Sequence, residues 1–154
     1  MTIIVRQFVC LMDNFGVLVH DSETGATAAV DAPEARAILD ALGDWVLTEA
    51  LITHHHPDHV QGVPELKARF PDLVVCGPAK EAGRIPYLTA AVKEGDRVQI
   101  GASEAIVVET PGHTLGHVVY HFEKDRIIFC GDTLFSLGCG RAFEAPYAVF
   151  WSSL

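Results

Sequence analysis

The stretch Thr53-His54-His55-His56-Pro57-Asp58-His59 places four histidines and a carboxylate within seven residues. Imidazole and carboxylate are the ligands that borderline metals such as zinc and iron take. The run Leu47 to Ile52 ahead of it is apolar except for Thr48 and Glu49, and it reads as a buried strand. A strand that ends in clustered ligands presents them at a sheet edge, where open α/β folds keep their sites. Alternate side chains of extended chain share a face, so His54 and His56 can grip one ion while His55 points away. Pro57 cannot continue a strand ladder and suits a turn or the start of a helix. Asp58 and His59 then lie one step further round, within reach of a second ion. The competing reading is a polar loop of solvated histidines, or an expression tag. A tag would be terminal and longer, whereas this run is internal and follows a strand.

Working outward, the chain of 154 residues fits one domain with a real core, spanning residues 1–154. Its net charge of −9 argues against nucleic acid as a partner, because phosphate binding needs a basic face. It does not exclude an anionic small substrate, since bound metal reverses the local sign. No apolar run approaches the roughly 18 residues of a membrane span. The start, Met1 to Arg6, lacks the charged-then-apolar plan of a signal peptide, and the expected location is the cytoplasm. Cys10, Cys76, Cys130 and Cys139 form no C-x-x-C pair and read as reduced thiols, mostly buried in strands.

Strands are expected at Ile3 to Met12, Gly16 to His20 and Ala26 to Val30, with Asp13-Asn14 and Ser22 to Gly25 turning the chain between them. Pro33 to Leu42 reads as a helix with Ala35, Ile38, Leu39 and Leu42 on one face. Asp58 to Phe70 reads as a second helix, and Leu73 to Cys76 as a strand. Gly77 to Glu94 reads as a loop, where Arg84, Tyr87 and Lys93 are surface residues or line a substrate mouth. Strands follow at Arg97 to Ile100, Ala105 to Glu109, Val118 to Phe122 and Arg126 to Cys130, with a hairpin turn at Glu123 to Asp125. Strand and helix alternate, which implies α/β layering.

The pattern His54-x-His56-x-Asp58-His59 resembles the signature of the metallo-β-lactamase superfamily. Thr53 to His59 with Gly62 is similar, more narrowly, to the glyoxalase II (hydroxyacylglutathione hydrolase) family. The resemblance continues at Asp13-Asn14-Phe15, Thr110-Pro-Gly-His-Thr-Leu-Gly-His117 and Gly131-Asp-Thr-Leu-Phe-Ser-Leu-Gly-Cys-Gly-Arg141, in the family's order and across essentially the whole chain. It implies an αββα sandwich of two αβ halves and a two-metal hydrolase. Zinc is the expected metal, with iron or manganese as alternatives. His113 completes the first metal's set with His54 and His56. Asp132, with two carboxylate oxygens, is suited to bridge ions roughly 3.5 Å apart. Asp58 and His59 hold the second metal, and Asp58 can also orient the nucleophile. Two cations sharing a water lower its pKa towards neutrality, and the resulting metal-bound hydroxide attacks a thioester carbonyl.

The resemblance also implies that Arg141 binds the glutathione part of an S-2-hydroxyacylglutathione, and that Phe143 packs against substrate. Asp31 is either an ordinary turn residue or the acidic support that metal-bound histidines need for their second N–H. His117 is expected to be structural, and His20 and His121 are expected not to bind metal. Family members continue well past Arg141, with a further histidine ligand and a C-terminal helical region, whereas no histidine follows His121. The second half of the sandwich is therefore expected to be incomplete, its apolar edge hidden in a homo-oligomer or by segment swapping. Activity of this chain alone is expected to be weak or absent. The alternatives to a thioester hydrolase are a persulfide dioxygenase with one iron and an inactive metal-binding fragment.

Overall fold

The computed structural model describes residues 3–154; Met1 and Thr2, on which the signal-peptide reading partly rests, lie outside them. Strands β1 (Ile3–Cys10), β2 (Asn14–Asp21) and β3 (Thr27–Val30) form an antiparallel meander. Helix α1 (Ala35–Leu42) leads to β4 (Glu49–Leu51), which adds parallel to β3. Helices α2 (Pro57–Val60) and α3 (Val63–Arg69) lead to β5 (Val74–Pro78) and then β6 (Ala90–Val92), both parallel. The first sheet thus runs β1-β2-β3-β4-β5-β6. A second, antiparallel sheet contains β7 (Arg97–Ile100), β8 (Ser103–Glu109), β9 (Val118–Phe122) and β10 (Ile127–Phe129), in the order β10-β9-β8-β7. The chain finishes with a small hairpin, β11 (Leu134–Phe135) and β12 (Gly138–Cys139), and a short helix, α4 (Tyr147–Trp151).

The pleat sorts the side chains of the first sheet into two cores. Leu18, Ala29, Ile52 and Val75 pack with Ile38, Leu42, Val63 and Leu66 of the helices. Val19, Ala28, Val30, Leu51 and Cys76 face the other way and pack with Ile100, Val107, Tyr120 and Phe122 of the second sheet. The layers are therefore helices, sheet, sheet. Each fully buried aliphatic side chain contributes roughly 1.5–3 kcal/mol. Near the C-terminus, Leu134, Phe135, Leu137, Tyr147 and Trp151 are exposed. Among the described residues no helix is long and apolar enough to cross a membrane.

Five expectations need correction. The helix expected over 58–70 is two helices, because the chain breaks at Gln61-Gly62 to bond Ala32: Ala32 donates to the His59 carbonyl and Gly62 to the Ala32 carbonyl, both at 2.8 Å. Pro64, in the first turn of α3, is the sequence signal of that break. The loop expected over 77–94 contains a one-turn helix, Ala79–Glu81, and the edge strand β6. The first strand stops at Cys10, and the first helix starts at Ala35 rather than Pro33. Of the cysteines, all unpaired, only Cys10 and Cys76 are buried, and Cys139 is exposed.

Candidate metal centre

The motif side chains collect at one end of the two sheets, on backbone fixed from several directions. Ile52 donates to the Cys76 carbonyl at 2.8 Å, Val118 donates to the Thr53 carbonyl at 3.0 Å, and the buried Tyr120 hydroxyl donates to the Ile52 carbonyl at 2.8 Å. The last two bonds tie the first sheet to the second where the histidines emerge. Gly131 brings Asp132 alongside: its φ is +49°, and a Cβ there would lie 2.6 Å from Thr53 Oγ1 and 2.7 Å from His117 Nε2.

Two groups of donors result. One ligand atom from each of His54, His56 and His113 lies within 4.8 Å of the others, and the same holds for His54, His59 and Asp132. His113 Nε2 is 2.9 Å from His56 Nδ1. Asp132 faces both groups, with Oδ2 3.2 Å from His113 Nε2 and Oδ1 3.3 Å from His59 Nε2. Asp58 stands beside them, half-exposed, with Oδ2 3.6 Å from His59 Nε2 and accepting from Asn14 Nδ2 at 3.1 Å.

The surroundings assign the tautomers. His113 Nδ1 donates to the Arg141 carbonyl and His59 Nδ1 donates to Asp31 Oδ2, both at 2.8 Å. His54 Nδ1 donates to Thr53 Oγ1 at 3.1 Å, and that hydroxyl donates in turn to Asp31 Oδ2 at 2.9 Å. In each ring this leaves Nε2 as the atom that points into the cluster; on His54 it is left bare, whereas on His59 it faces Asp132. Asp31 is thus at once a turn residue, with φ of +58°, and the acceptor that orients the centre.

Charge follows the same plan. Burial, reinforced by neighbouring His59, His117 and His113, holds His54 far below the usual imidazole range. Burial and then His113 lower His56 as well. Burial opposes charge on His59 too, but Asp31 and Asp132 overcome it and push that ring up to about 10. Burial raises Asp132, yet His59, His113 and His117 bring its carboxyl below the usual range.

Among the described residues, the only buried side-chain nitrogen or oxygen without a hydrogen-bond partner is His54 Nε2. An unsatisfied buried polar atom costs roughly 1–3 kcal/mol. A neutral imidazole with its bare nitrogen beside two others and a carboxylate is in the state that binds a cation without first losing a proton. The donor set fits a metal ion.

The remaining residues take varied places. His117 is buried, accepts the Asp132 N–H at 3.1 Å on Nε2, and lies with its Nδ1 2.9 Å from Thr110 Oγ1; burial and His113 bring it down to about 3. It acts on Asp132 structurally. His20 stacks on Trp45, and His121 lies in β9. Arg141 is exposed, while the exposed Phe143 ring lies 5.2 Å from His113 and 5.9 Å from His56, between centroids. Arg84 pairs with Glu144 at 2.9 Å, Tyr87 is exposed, and the Lys93 amide bonds Asp96, so these three do not meet at the donor cluster. Sequence reasoning missed the contacts of Asn14, Thr53 and Glu81; Asn14 and Thr53 stood in quoted motifs, whereas nothing singled out Glu81.

Comparison with known proteins decides the family. The family model described as the metallo-beta-lactamase superfamily matches residues 23–152. The chain belongs to the metallo-β-lactamase superfamily. That superfamily implies a metal. Relatives named hydroxyacylglutathione hydrolase include one from Rhodopseudomonas palustris (strain BisA53), 55% identical over 152 residues, covering 97% of this chain and 59% of the relative. Another, from Chelativorans sp. (strain BNC1), is 54% identical and covers 100% of this chain and 61% of its own length. The chain thus spans about 60% of the length of these curated relatives. Among solved structures, TTHA1623 in a di-iron-bound form matches with a TM-score of 0.76 and 26% identity, over 94% of this chain and 81% of that one.

Proposed function

We propose that the chain carries the two-metal centre of a glyoxalase II-type hydrolase, acting on S-2-hydroxyacylglutathione thioesters. His54, His56 and His113 hold one ion, Asp58 and His59 hold the second, and Asp132 is shared. The observation that carries this reading is the buried, partnerless His54 Nε2, on a ring grouped with His56 and His113 so that one ligand nitrogen of each lies within 4.8 Å of the others. The names of relatives more than 50% identical support the substrate class. Zinc suits the donors, and the di-iron form of a solved relative supports iron as an alternative, with manganese a third candidate.

When bound, the metal supplies a water nucleophile at neutral pH and polarises the thioester carbonyl. The chain's own residues then divide the remaining work. Asp31, Thr53 and the Arg141 carbonyl hold the imidazoles in the required tautomers. Asp58, half-exposed and held by Asn14, orients the attacking water. Phe143 forms an apolar wall against His56 and His113. The exposed Arg141 guanidinium takes a glutathione carboxylate, for which its planar fork is suited. A thiolate leaves readily, so no dedicated general acid is needed. The unpaired cysteines support a reducing compartment such as the cytoplasm.

The test is thiol release from S-lactoylglutathione by protein loaded separately with zinc, iron and manganese, in this chain and in one extended to the length of its relatives. Metal-dependent release that Asp58→Ala lowers supports the reading. Absence of release from the metal-loaded extended chain overturns it.

A further inference from the structure

Glu81 ends the one-turn helix Ala79–Glu81 and is 1% exposed, although it is charged and lies outside both donor groups. Its carboxylate is fully used. Oε2 accepts the backbone N–H of His55 at 2.7 Å and lies 2.8 Å from His55 Nδ1. Oε1 accepts the backbone N–H of Gly116 at 3.1 Å and the hydroxyl of Thr114. His55 sits between His54 and His56, and Thr114 follows His113. One buried carboxylate therefore joins the two segments that supply the three converging nitrogens.

We propose that Glu81 is the positioning residue that sets the distance between the His54–His56 segment and the His113 segment, and through it the affinity of the centre for metal. The inference rests on reading those three histidines as ligands. Three features favour it. The sequence leaves room for the carboxylate: a Cβ on Gly116 would lie 2.5 Å from Glu81 Cγ and 2.9 Å from its Oε1. A second carboxylate repeats the bridge nearer the surface. Glu144 accepts the Leu115 N–H at 2.8 Å and pairs with Arg84 at 2.9 Å, with Oε1 3.8 Å from His55 Nε2. His55, which the alternation of extended chain turns away from the ligands, thereby acquires a use.

The chemistry makes the proposal testable. An ionised carboxylate only accepts and has room for four donors. Glutamine has the same shape, but one of its two terminal groups is an NH2. The amides of His55 and Gly116 fall on different oxygens, and neither can become an acceptor. Whichever way the Gln is turned, its NH2 opposes one backbone N–H, and one ligand segment must move.

Metal-stripped wild type, Glu81→Gln and Thr114→Val are titrated with zinc against a chromophoric chelator, and the cobalt-loaded forms are compared by their ligand-field spectra. Circular dichroism checks folding. Glu81→Gln is expected to bind zinc roughly 10-fold or more weakly and to shift the cobalt spectrum. Thr114→Val, which removes one donor of four, is expected to show a smaller fall in the same direction. A merely structural role would lower the melting temperature of the metal-free protein and leave the cobalt spectrum unmoved. Folded Glu81→Gln with zinc affinity within about twofold of wild type and an unaltered spectrum overturns the positioning role alone. If Glu81→Gln does not fold, Thr114→Val decides: weakened binding supports the role and unchanged binding overturns it. Wild type that binds no metal overturns the ligand reading, and this inference with it.

Discussion

Removing the Asp31 carboxylate should be the costliest single change next to the ligand cluster, and its size can be worked from the contacts. Asp31 is 8% exposed. It accepts the Thr53 amide at 2.7 Å, the Thr53 hydroxyl at 2.9 Å and His59 Nδ1 at 2.8 Å. Asp31→Ala leaves the Thr53 amide and the His59 ring N–H without acceptors, at roughly 1–3 kcal/mol each. It also places alanine at φ +58°, which costs about 1 kcal/mol more. The sum is about 3–7 kcal/mol. With a melting-temperature shift of roughly 2–4 °C per kcal/mol at this size, the midpoint should fall by about 6–28 °C. Asp31→Asn keeps an oxygen for the Thr53 amide and tolerates the left-handed backbone. Its NH2 faces His59 and forces the other tautomer, so the loss should be smaller, about 1–3 kcal/mol. The assay is urea unfolding with a chelator present, so that metal binding does not add to apparent stability. A loss below about 1 kcal/mol for Asp31→Ala, or equal losses for both variants, would refute the reasoning.

Asp21 sets a pH dependence far from the metal residues. The Ala102 amide at 2.6 Å lowers its carboxyl below the usual range against burial, helped by the Glu23 amide and the Thr24 hydroxyl. A depressed folded-state pKa gives stability that is present above the unfolded value of about 3.9 and is lost as pH falls through the folded value. Unfolding free energy measured against pH should therefore fall below about pH 4, and less steeply in Asp21→Asn; parallel curves would contradict this. Tyr120→Phe deletes the buried bond to the Ile52 carbonyl and should cost about 1–2 kcal/mol in the same unfolding assay.

Much of this was legible in the sequence because local pattern and tertiary need agree. The apolar runs Val17 to Val19 and Val118 to Tyr120 read as strands and form them, and the pleat of the first sends Leu18 to one core and Val19 to the other. His54, His56, His59, His113 and Asp132 come together because each stands just past a strand or at a helix start, on one end of the sheets. What escaped was set by contacts distant in sequence. The break at Gln61-Gly62 answers to the backbone of Ala32, and β6 is an edge strand too short to show a period. Glu81 is a single acid in a polar loop; its partners His55, Thr114 and Gly116 lie 26 to 35 residues away, and no local pattern announces them.

The central claim is that the converging histidines are metal ligands. The most direct measurement is the metal content of wild type and His56→Ala after zinc loading and desalting, counted by elemental mass spectrometry against protein concentration. The account predicts retained metal in wild type and loss of most of it in His56→Ala, with both proteins folded. Equal metal content in the two would contradict it.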